Sequence, residues 1–481
     1  MCLSQSRPEA TDPTVATPAS PARRYLHALG AGLVALALAG CLPAPPQADA
    51  SRAASSTLAL PPATLAPSPH ISPAALPDNG RLGRDFLELS FYLETGRPLA
   101  QFTRFEGPVS IALAGPAPPV ARRELDRLVA RLREEAGLPV SARPGAANTI
   151  TVQFVPKAVM RRSVPNVACF VVPDTRDWVD YKSARGTGRT DWSRLTQRRH
   201  ATVFIPDPAT PQEIRDCLHE EISQALGPVN DLYRLPDTVW NDDNFHTVLT
   251  RFDMTILRAY YDPALRSGMS REEVAARLPE ILARVNPGGG LRAPLPEDPT
   301  PQAYVRAITT ALGSGASDAR RRAAARTATE IATRWGWTDS RAGFAWFALG
   351  RLVMKTDPDA AIAAYRNAGA IYRALPGAAI QSAHIDMQLA AFALGTGRPR
   401  DAIELVNRAL VLAQAGENAS LMATLYMIRA EAYGRLGDPD QAQRARLDMQ
   451  QWARYGFGSD AAVKRRTSEV AALAVAGARA N

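Results

Sequence analysis

The chain has 481 residues, of which 46% are hydrophobic and 21% charged, and its formal net charge at pH 7 is +9. This length exceeds what one hydrophobic core usually serves, so two or more domains are expected. The basic residues are mostly scattered arginines, without runs in which aromatic residues alternate with them, and this pattern argues against a nucleic-acid partner.

The N-terminus has the pattern of an export signal. Arg23 and Arg24 precede an uncharged apolar run at 25–40, which is too short to remain as a membrane-spanning helix. The run leads into Leu-Ala-Gly-Cys at 38–41, which resembles the lipobox of bacterial lipoproteins. In that family the cysteine, here Cys41, takes a diacylglycerol and becomes the new N-terminus. An ordinary secretory signal with a chance cysteine is the alternative.

The lipoprotein resemblance implies a location in a bacterial cell envelope and contact with a membrane through the lipid anchor. Leu42 rather than an aspartate follows the cysteine. By analogy with lipoproteins of two-membrane bacteria, this favours the periplasmic face of the outer membrane. Residues 41–81 are rich in Pro, Ala and Ser and cannot bury a core, so they are predicted to be a disordered tether between residues 1–40, the signal peptide, and the folded part.

The remaining cysteines are expected to pair. Cys2 lies in the signal and Cys41 carries the lipid, which leaves Cys169 and Cys217. Two cysteines in an oxidising envelope compartment are expected to form a disulfide. Two free, buried thiols are the alternative.

Residues 82–286 have the mixed pattern of an α+β domain. Alternation or helical spacing of apolar residues predicts, in chain order, a strand at 108–115, a helix at 121–137, and strands at 149–156 and 201–207. A further helix is predicted to begin at about Pro211, whose fixed φ suits a first turn. The last strand is expected at the edge of the sheet, facing a substrate. The charged, glycine-containing segment 174–200 is expected to be a surface insertion.

The C-terminal part is predicted to be all-helical. Pro and Gly content predicts a linker at 287–301, and alanine-rich helices are predicted for residues 302–481. Small residues recur there about every 40 residues, at Ala361, Ala402 and Ala442. The pattern resembles tetratricopeptide repeats, although the period is longer and the tryptophan and proline signatures are absent. A plain helical bundle is the alternative, and either one favours a protein partner bound by this region.

The stretch HEEISQALGPVND, residues 219–231, resembles a zinc-protease motif. Read from His219, the second histidine of H-E-x-x-H would fall at Ser223. Read one residue later, the stretch resembles the metzincin pattern H-E-x-x-H-x-x-G-x-x-H with every histidine replaced by a side chain that carries oxygen. The three histidine positions are taken by Glu220, Gln224 and Asn230, the glycine position by Gly227, and the position of the catalytic glutamate by Glu221.

Two downstream segments resemble other metzincin features in the same order. Residues 237–240, Asp-Thr-Val-Trp, are similar to the methionine turn that underlies the metal, with Trp240 in place of the methionine. Residues 249–263 are similar to the closing helix of those domains. The whole combination, over roughly 82–270, also resembles an uncharacterised family of exported bacterial proteins of unknown function. The resemblance therefore implies a metzincin-like (zincin-type) α+β fold followed by the helical repeats.

The altered ligand set weakens the case for catalysis. Zinc prefers imidazole and thiolate ligands, whereas Glu220, Gln224 and Asn230 offer one carboxylate and two amide oxygens. His246 follows the Trp240 turn and would be the only imidazole able to complete a site. No cofactor is assigned beyond a divalent metal, for which zinc is the first candidate.

Two functions are favoured by these patterns, and a third possibility is that the helical repeats alone carry the function while the first domain is a spacer. The first is a binding or assembly protein of the cell envelope, built on a degenerate metallopeptidase-like domain whose polar side chains hydrogen-bond one another or the backbone. The alternative is an atypical metal-dependent peptidase or hydrolase that acts on envelope peptides or proteins, with Glu221 as general base.

Overall fold

The structure is a computed structural model that describes residues 74–165 and 167–479, the last five as helix backbone only. The predicted signal peptide, Cys41 and most of the predicted tether lie outside these residues. A small mixed sheet with helices is followed by a long run of helices, so the expected α+β region followed by an all-α region is confirmed. Within the described chain, no helix is both long enough and apolar enough to cross a membrane.

The first region contains five strands and seven helices. The strands are β1 (Val109–Ala114), β2 (Val140–Ser141), β3 (Asn148–Pro156), β4 (Phe170–Pro173) and β5 (His200–Asp207). The helices are α1 (Asn79–Phe91), α2 (Pro119–Ala136), α3 (Lys157–Ser163), α4 (Trp178–Ala184), α5 (Pro211–Leu226), α6 (Arg251–Tyr260) and α7 (Arg271–Val285). The three longer strands and α2 lie within one or two residues of the segments that alternation and helical spacing predict.

The sheet has the order β2-β1-β3-β5-β4. Strands β1, β2, β3 and β5 are parallel, and β4 runs antiparallel to β5 at one edge. The expectation that 201–207 is the edge strand is therefore wrong, because β5 lies between β3 and β4. The edge strand on this side of the sheet, β4, has only four residues, too few to show an alternating pattern in the sequence.

The segment 174–200 is more than a surface insertion. It contains α4, whose Trp178 and Tyr181 are buried against β4 and β5. The ring of Trp178 lies 5.1 Å from that of Phe204, and the ring of Tyr181 lies 5.4 Å from that of Phe170. Because charged residues surround these two aromatics in the sequence, the composition of the segment does not indicate the small separate core that they form.

The helical region contains nine described helices that pack mainly against their neighbours in the chain. They are α8 (Gln302–Leu312), α9 (Asp318–Arg334), α10 (Ser340–Val353), α11 (Pro358–Ala374), α12 (Ala379–Gly395), α13 (Pro399–Ala415), α14 (Ala419–Arg435), α15 (Pro439–Phe457) and α16 (Asp460–Arg479). Ala361, Ala402 and Ala442 are buried near the starts of α11, α13 and α15. Small residues therefore allow close approach of paired helices at a regular interval.

The predicted linker is held firmly against the first region. The Asn79 Nδ2 atom donates to the Gly290 carbonyl at 2.6 Å, and the Leu295 amide donates to the Gly80 carbonyl at 2.9 Å. Asp298 then forms an ion pair with Arg341 of α10 at 3.0 Å. Although 291–301 has no regular secondary structure, these contacts fix its path.

One loop, residues 231–250, packs into both regions, and we call it the joint loop. Trp240 is fully buried in the core of the first region. Tyr233 and Phe245 belong instead to the core of the helical region. The ring of Phe245 lies 5.0 Å from that of Phe347, and Tyr233 lies 5.7 Å from Tyr304. One short segment thus contributes hydrophobic side chains to both cores.

Replacement of Phe245 with alanine should destabilise the protein substantially. Deleting a buried aromatic ring removes its burial and leaves a cavity, which typically costs about 3–5 kcal/mol. The free energy of unfolding, measured by denaturant titration, should fall by this amount. Val411→Ala is the control, because Val411 is 57% exposed, and an exposed substitution should change stability by about 0.5 kcal/mol or less. Equal, small effects for both variants would show that the joint loop does not couple the two cores.

Candidate functional site

Helix α5 carries the metzincin-like motif and is well defined at both ends. Thr210 and Glu213 form a capping box at its start, and Pro211 occupies the first turn. The helix ends at Gly227, where an added Cβ would lie 3.0 Å from the Leu257 side chain of α6. A side chain at this position would therefore press against Leu257 of α6.

The disulfide between Cys169 and Cys217 is confirmed and joins the residue before β4 to α5. It fixes the edge strand above the helix that carries the motif. A carboxylate oxygen of Glu220 and one of Glu221 lie within 4.8 Å of the Cys169 sulfur and of each other. Because that sulfur is in the disulfide, it is not a thiolate ligand.

The predicted ligand positions only partly come together. Glu220 and Glu221 are neighbours on α5, and Gln224 is buried one turn further on. The Asn230 amide nitrogen donates to the Glu88 carbonyl of α1 at 2.9 Å. The Nε2 atom of His246 lies 3.3 Å from the Gly377 carbonyl in the helical region. In the described part of the chain, His246 joins no group of side chains close enough to share an ion.

His219 also points away from the motif face. Its Nδ1 atom accepts a hydrogen bond from the Leu249 amide at 3.0 Å. Burial, together with the positive charges of Arg131 and Arg215, holds the pKa of His219 well below its usual value. The ring is therefore neutral and anchors the end of the joint loop, a structural role.

The Trp240 turn lies beneath α5 and is tied to both α5 and α6. The Trp240 indole N–H donates to the Ser223 hydroxyl at 3.0 Å. The Asp253 carboxylate of α6 accepts from the Val239 amide at 3.3 Å, from the Thr250 amide at 2.8 Å and from the Thr238 hydroxyl. The turn thus supports the motif helix from below.

Glu221, the candidate general base, is engaged by the edge strand. In the β4–β5 ladder, Val171 faces Val203, while Asp174 donates to His200 further along. Because hydrogen-bonded and non-bonded pairs alternate, the Val171 amide points away from β5. That amide donates to the Glu221 carboxyl. Burial and the charges of Glu220 and Glu94 raise the pKa of Glu221 well above its usual value.

Five carboxyl groups gather at this end of α5, including two that sequence patterns did not identify. Asp231, Asp242 and Glu94 each offer an oxygen within 4.8 Å of the others. Although Glu94 is an exposed residue, desolvation of its carboxyl and the charge of Asp242 raise its pKa to about 7, and burial with Asp242 and Glu94 raises the pKa of Glu220 to about 8. Asp231, inside the same group, has a pKa well above its usual value for the same reasons.

Glu94 and Asp242 were missed because they are far from the motif in sequence. Glu94 lies in a turn after α1, and Asp242 lies in the joint loop, within the stretch WNDDN at 240–244. A pair of acids directly after the Trp240 turn was the available signal. The part played by Glu94 follows only from the packing of α1 against this loop.

A cleft of about 880 Å³ opens beside these groups, with walls from both regions. From the first region it is lined by the α3–β4 connection, the disulfide and Glu220. From the helical region it is lined by residues that include Leu312, His384 and Asn418. The site is therefore a recess between the two regions, with the start of α5 along one side.

The comparisons with known proteins agree with this division. Residues 79–280, from α1 into α7, match the family described as "Protein of unknown function (DUF2927)". The expected resemblance to an uncharacterised family is thus confirmed for the α+β region. No curated protein matches the chain.

Stability should fall as pH rises, because the clustered carboxyls resist ionisation in the folded state. Glu220 ionises near pH 4.5 when unfolded and near 8 when folded. Between these values the folded state binds more protons, so the free energy of unfolding decreases with increasing pH. The free energy of unfolding should therefore decrease less between pH 5 and pH 8 in Glu220→Gln than in the wild type. After allowance for partial solvation, the difference should be about 2 kcal/mol.

Denaturant titrations at the two pH values, in the presence of a chelator, measure this difference. Glu330→Gln is the matched control, because Glu330 is exposed on α9. The same pH dependence in the wild type, the Glu220 variant and the control would contradict the interpretation.

Proposed function

We propose that the protein is a lipid-anchored binding protein of a bacterial cell envelope that holds a segment of a partner protein in the cleft beside α5. The observation that carries this proposal is the cleft itself. It measures about 880 Å³ and is shared between the α+β region and the helical region. Clefts of this size between packed units are common ligand sites.

The lining of the cleft suits a polypeptide segment. Apolar side chains come from both regions, including Met160, Val167, Val239 and Leu312. Lys157 and Glu213 add charges of both signs. A partner segment could bury apolar side chains against the first set and pair its polar groups with the second.

The chemistry of the motif supports binding rather than hydrolysis. The Asn230 nitrogen donates to backbone, and His246 is directed to Gly377, so neither offers zinc a ligand at the motif. The remaining oxygen set does not fit zinc, which favours imidazole and thiolate. Glu221 is buried and accepts a hydrogen bond from the Val171 amide, and its raised pKa disfavours the carboxylate form that a general base requires.

A degenerate metzincin-like ancestry accounts for the shape of this region. The observations that support it are an antiparallel edge strand beside the motif helix, the glycine that ends this helix and the Trp240 turn beneath it. On this interpretation the peptide-binding shape of a metallopeptidase persists after its metal ligands have changed. The tetratricopeptide-like helix pairs add the second wall of the docking surface.

Membrane attachment rests on the lipobox-like residues before Cys41. Cys41→Ser should abolish lipid attachment and release the protein from the membrane fraction, because the thiol is the site of acylation. Incorporation of a radiolabelled fatty acid, together with cell fractionation, measures both effects. Cys2→Ser is the control and should leave both unchanged. Membrane association that survives loss of Cys41 would contradict the lipoprotein assignment.

Photo-crosslinking tests the cleft directly. A photoreactive residue at Val167, which is 40% exposed in the cleft wall, should give a discrete adduct in intact cells. Ala168→Trp should abolish this adduct. Ala168 also lines the cleft and is exposed, so a tryptophan there would obstruct the cleft without disturbing a core. The same probe at Val411, exposed on α13, should give no adduct of that size.

Two results would overturn the binding proposal. One is an adduct pattern at Val167 that is indistinguishable from that at Val411 and insensitive to Ala168→Trp. The other is peptidase activity of the purified chain that is lost on Glu221→Gln, since this would favour the metal-dependent hydrolase instead.

A further inference from the structure

We propose that Glu94, Asp231 and Asp242 form a binding site for one hard divalent cation, with Ca²⁺ the best fit. Each residue offers a carboxylate oxygen, and the three oxygens lie within 4.8 Å of one another. Hard cations such as Ca²⁺ prefer oxygen ligands. The two aspartates are half-buried and Glu94 is exposed, so solvent can reach the site and supply the remaining ligands.

An unsatisfied atom within the group points independently to a ligand. The Oδ1 atom of Asp231 is buried from solvent and accepts no hydrogen bond. A buried carboxylate oxygen without a partner carries a desolvation penalty that native proteins rarely leave uncompensated. A cation held by the three carboxylates would satisfy this atom directly.

The local charge also favours a cation. Glu220 and Glu221 on α5 add two further carboxyls whose electrostatic influence reaches Asp231. The charges that most strongly affect Glu94 and Asp231 are those of other acidic groups. The donor to Asp242 is the neutral Tyr233 hydroxyl, at 3.0 Å.

The spacing of the oxygens is compatible with Ca²⁺. Calcium–oxygen distances of about 2.3–2.6 Å allow two ligands on opposite sides of one ion to lie up to about 4.6–5.2 Å apart. Oxygens within 4.8 Å of one another can therefore surround Ca²⁺ with little movement of the backbone. Magnesium, with bonds of about 2.0–2.1 Å and strict octahedral geometry, places tighter demands on the same side chains.

Such an ion would lie where the end of α1 meets the joint loop. Glu94 follows α1 by three residues, whereas Asp231 and Asp242 both belong to the joint loop. The cation would therefore tie the end of α1 to the segment whose Tyr233 and Phe245 pack into the helical region. Calcium would stabilise the fold and hold the two walls of the cleft in place.

Isothermal titration of the purified, chelator-treated full chain with CaCl₂ tests the site. We expect one equivalent of Ca²⁺ to bind with a dissociation constant below about 1 mM, and weaker binding of MgCl₂. Glu94→Gln and Asp242→Asn should each weaken Ca²⁺ binding at least about tenfold, because each removes one of three charged ligands. Glu330 is exposed on α9, and Glu330→Gln should leave Ca²⁺ binding unchanged.

Thermal unfolding detects Ca²⁺ binding even if the binding reaction releases no measurable heat. About 5 mM CaCl₂ should raise the unfolding midpoint of the wild type by several degrees and that of Glu94→Gln by much less. Glu94 is exposed, so its substitution should not prevent folding. The proposal is overturned if neither method detects saturable binding, or if Glu94→Gln and Asp242→Asn bind Ca²⁺ as the wild type does.

Discussion

The joint loop is the constraint on which the rest of the structure depends. Trp240, at its centre, is buried beneath α5 and donates to Ser223, while Tyr233 and Phe245 on either side pack into the helical core. One short segment therefore contributes to two hydrophobic cores at once. A change in the position of α5 cannot occur without a change in how the helical region packs. The position of this loop therefore helps to determine the shape of the cleft between the regions.

The same constraint explains which positions of α5 are fixed. Ser223 supports Trp240, Gly227 lies close to α6, and His219 binds the Leu249 amide, so these positions are held by packing and hydrogen bonding. Asn230 bonds to α1, and Glu221 bonds to the edge strand. These two side chains therefore have structural partners within the protein.

Local patterns predicted much of the fold, because they depend on neighbours in the chain. Three strands, the amphipathic α2 and the start of α5 follow from alternation, helical spacing and a proline at a first turn. Strand β4 is too short to show a pattern, and its place at the sheet edge depends on pairing with β5. The acidic group could not be predicted from local patterns for a related reason. Glu94 and Asp242 are 148 positions apart, and only the packing of α1 brings them together.

The clustering of acids at the joint has a physical consequence that bears on function. Repulsion among Glu94, Asp231, Asp242 and the two glutamates of α5 opposes the packing that Trp240 and Phe245 favour. In the protein alone, protonation relieves this conflict, as the raised pKa values of Glu94 and Glu220 indicate. Any cation that enters the group, whether an ion or a basic side chain of a partner, would relieve it without protons. The rigidity of the joint, and with it the shape of the cleft, is therefore coupled to what the acidic group holds.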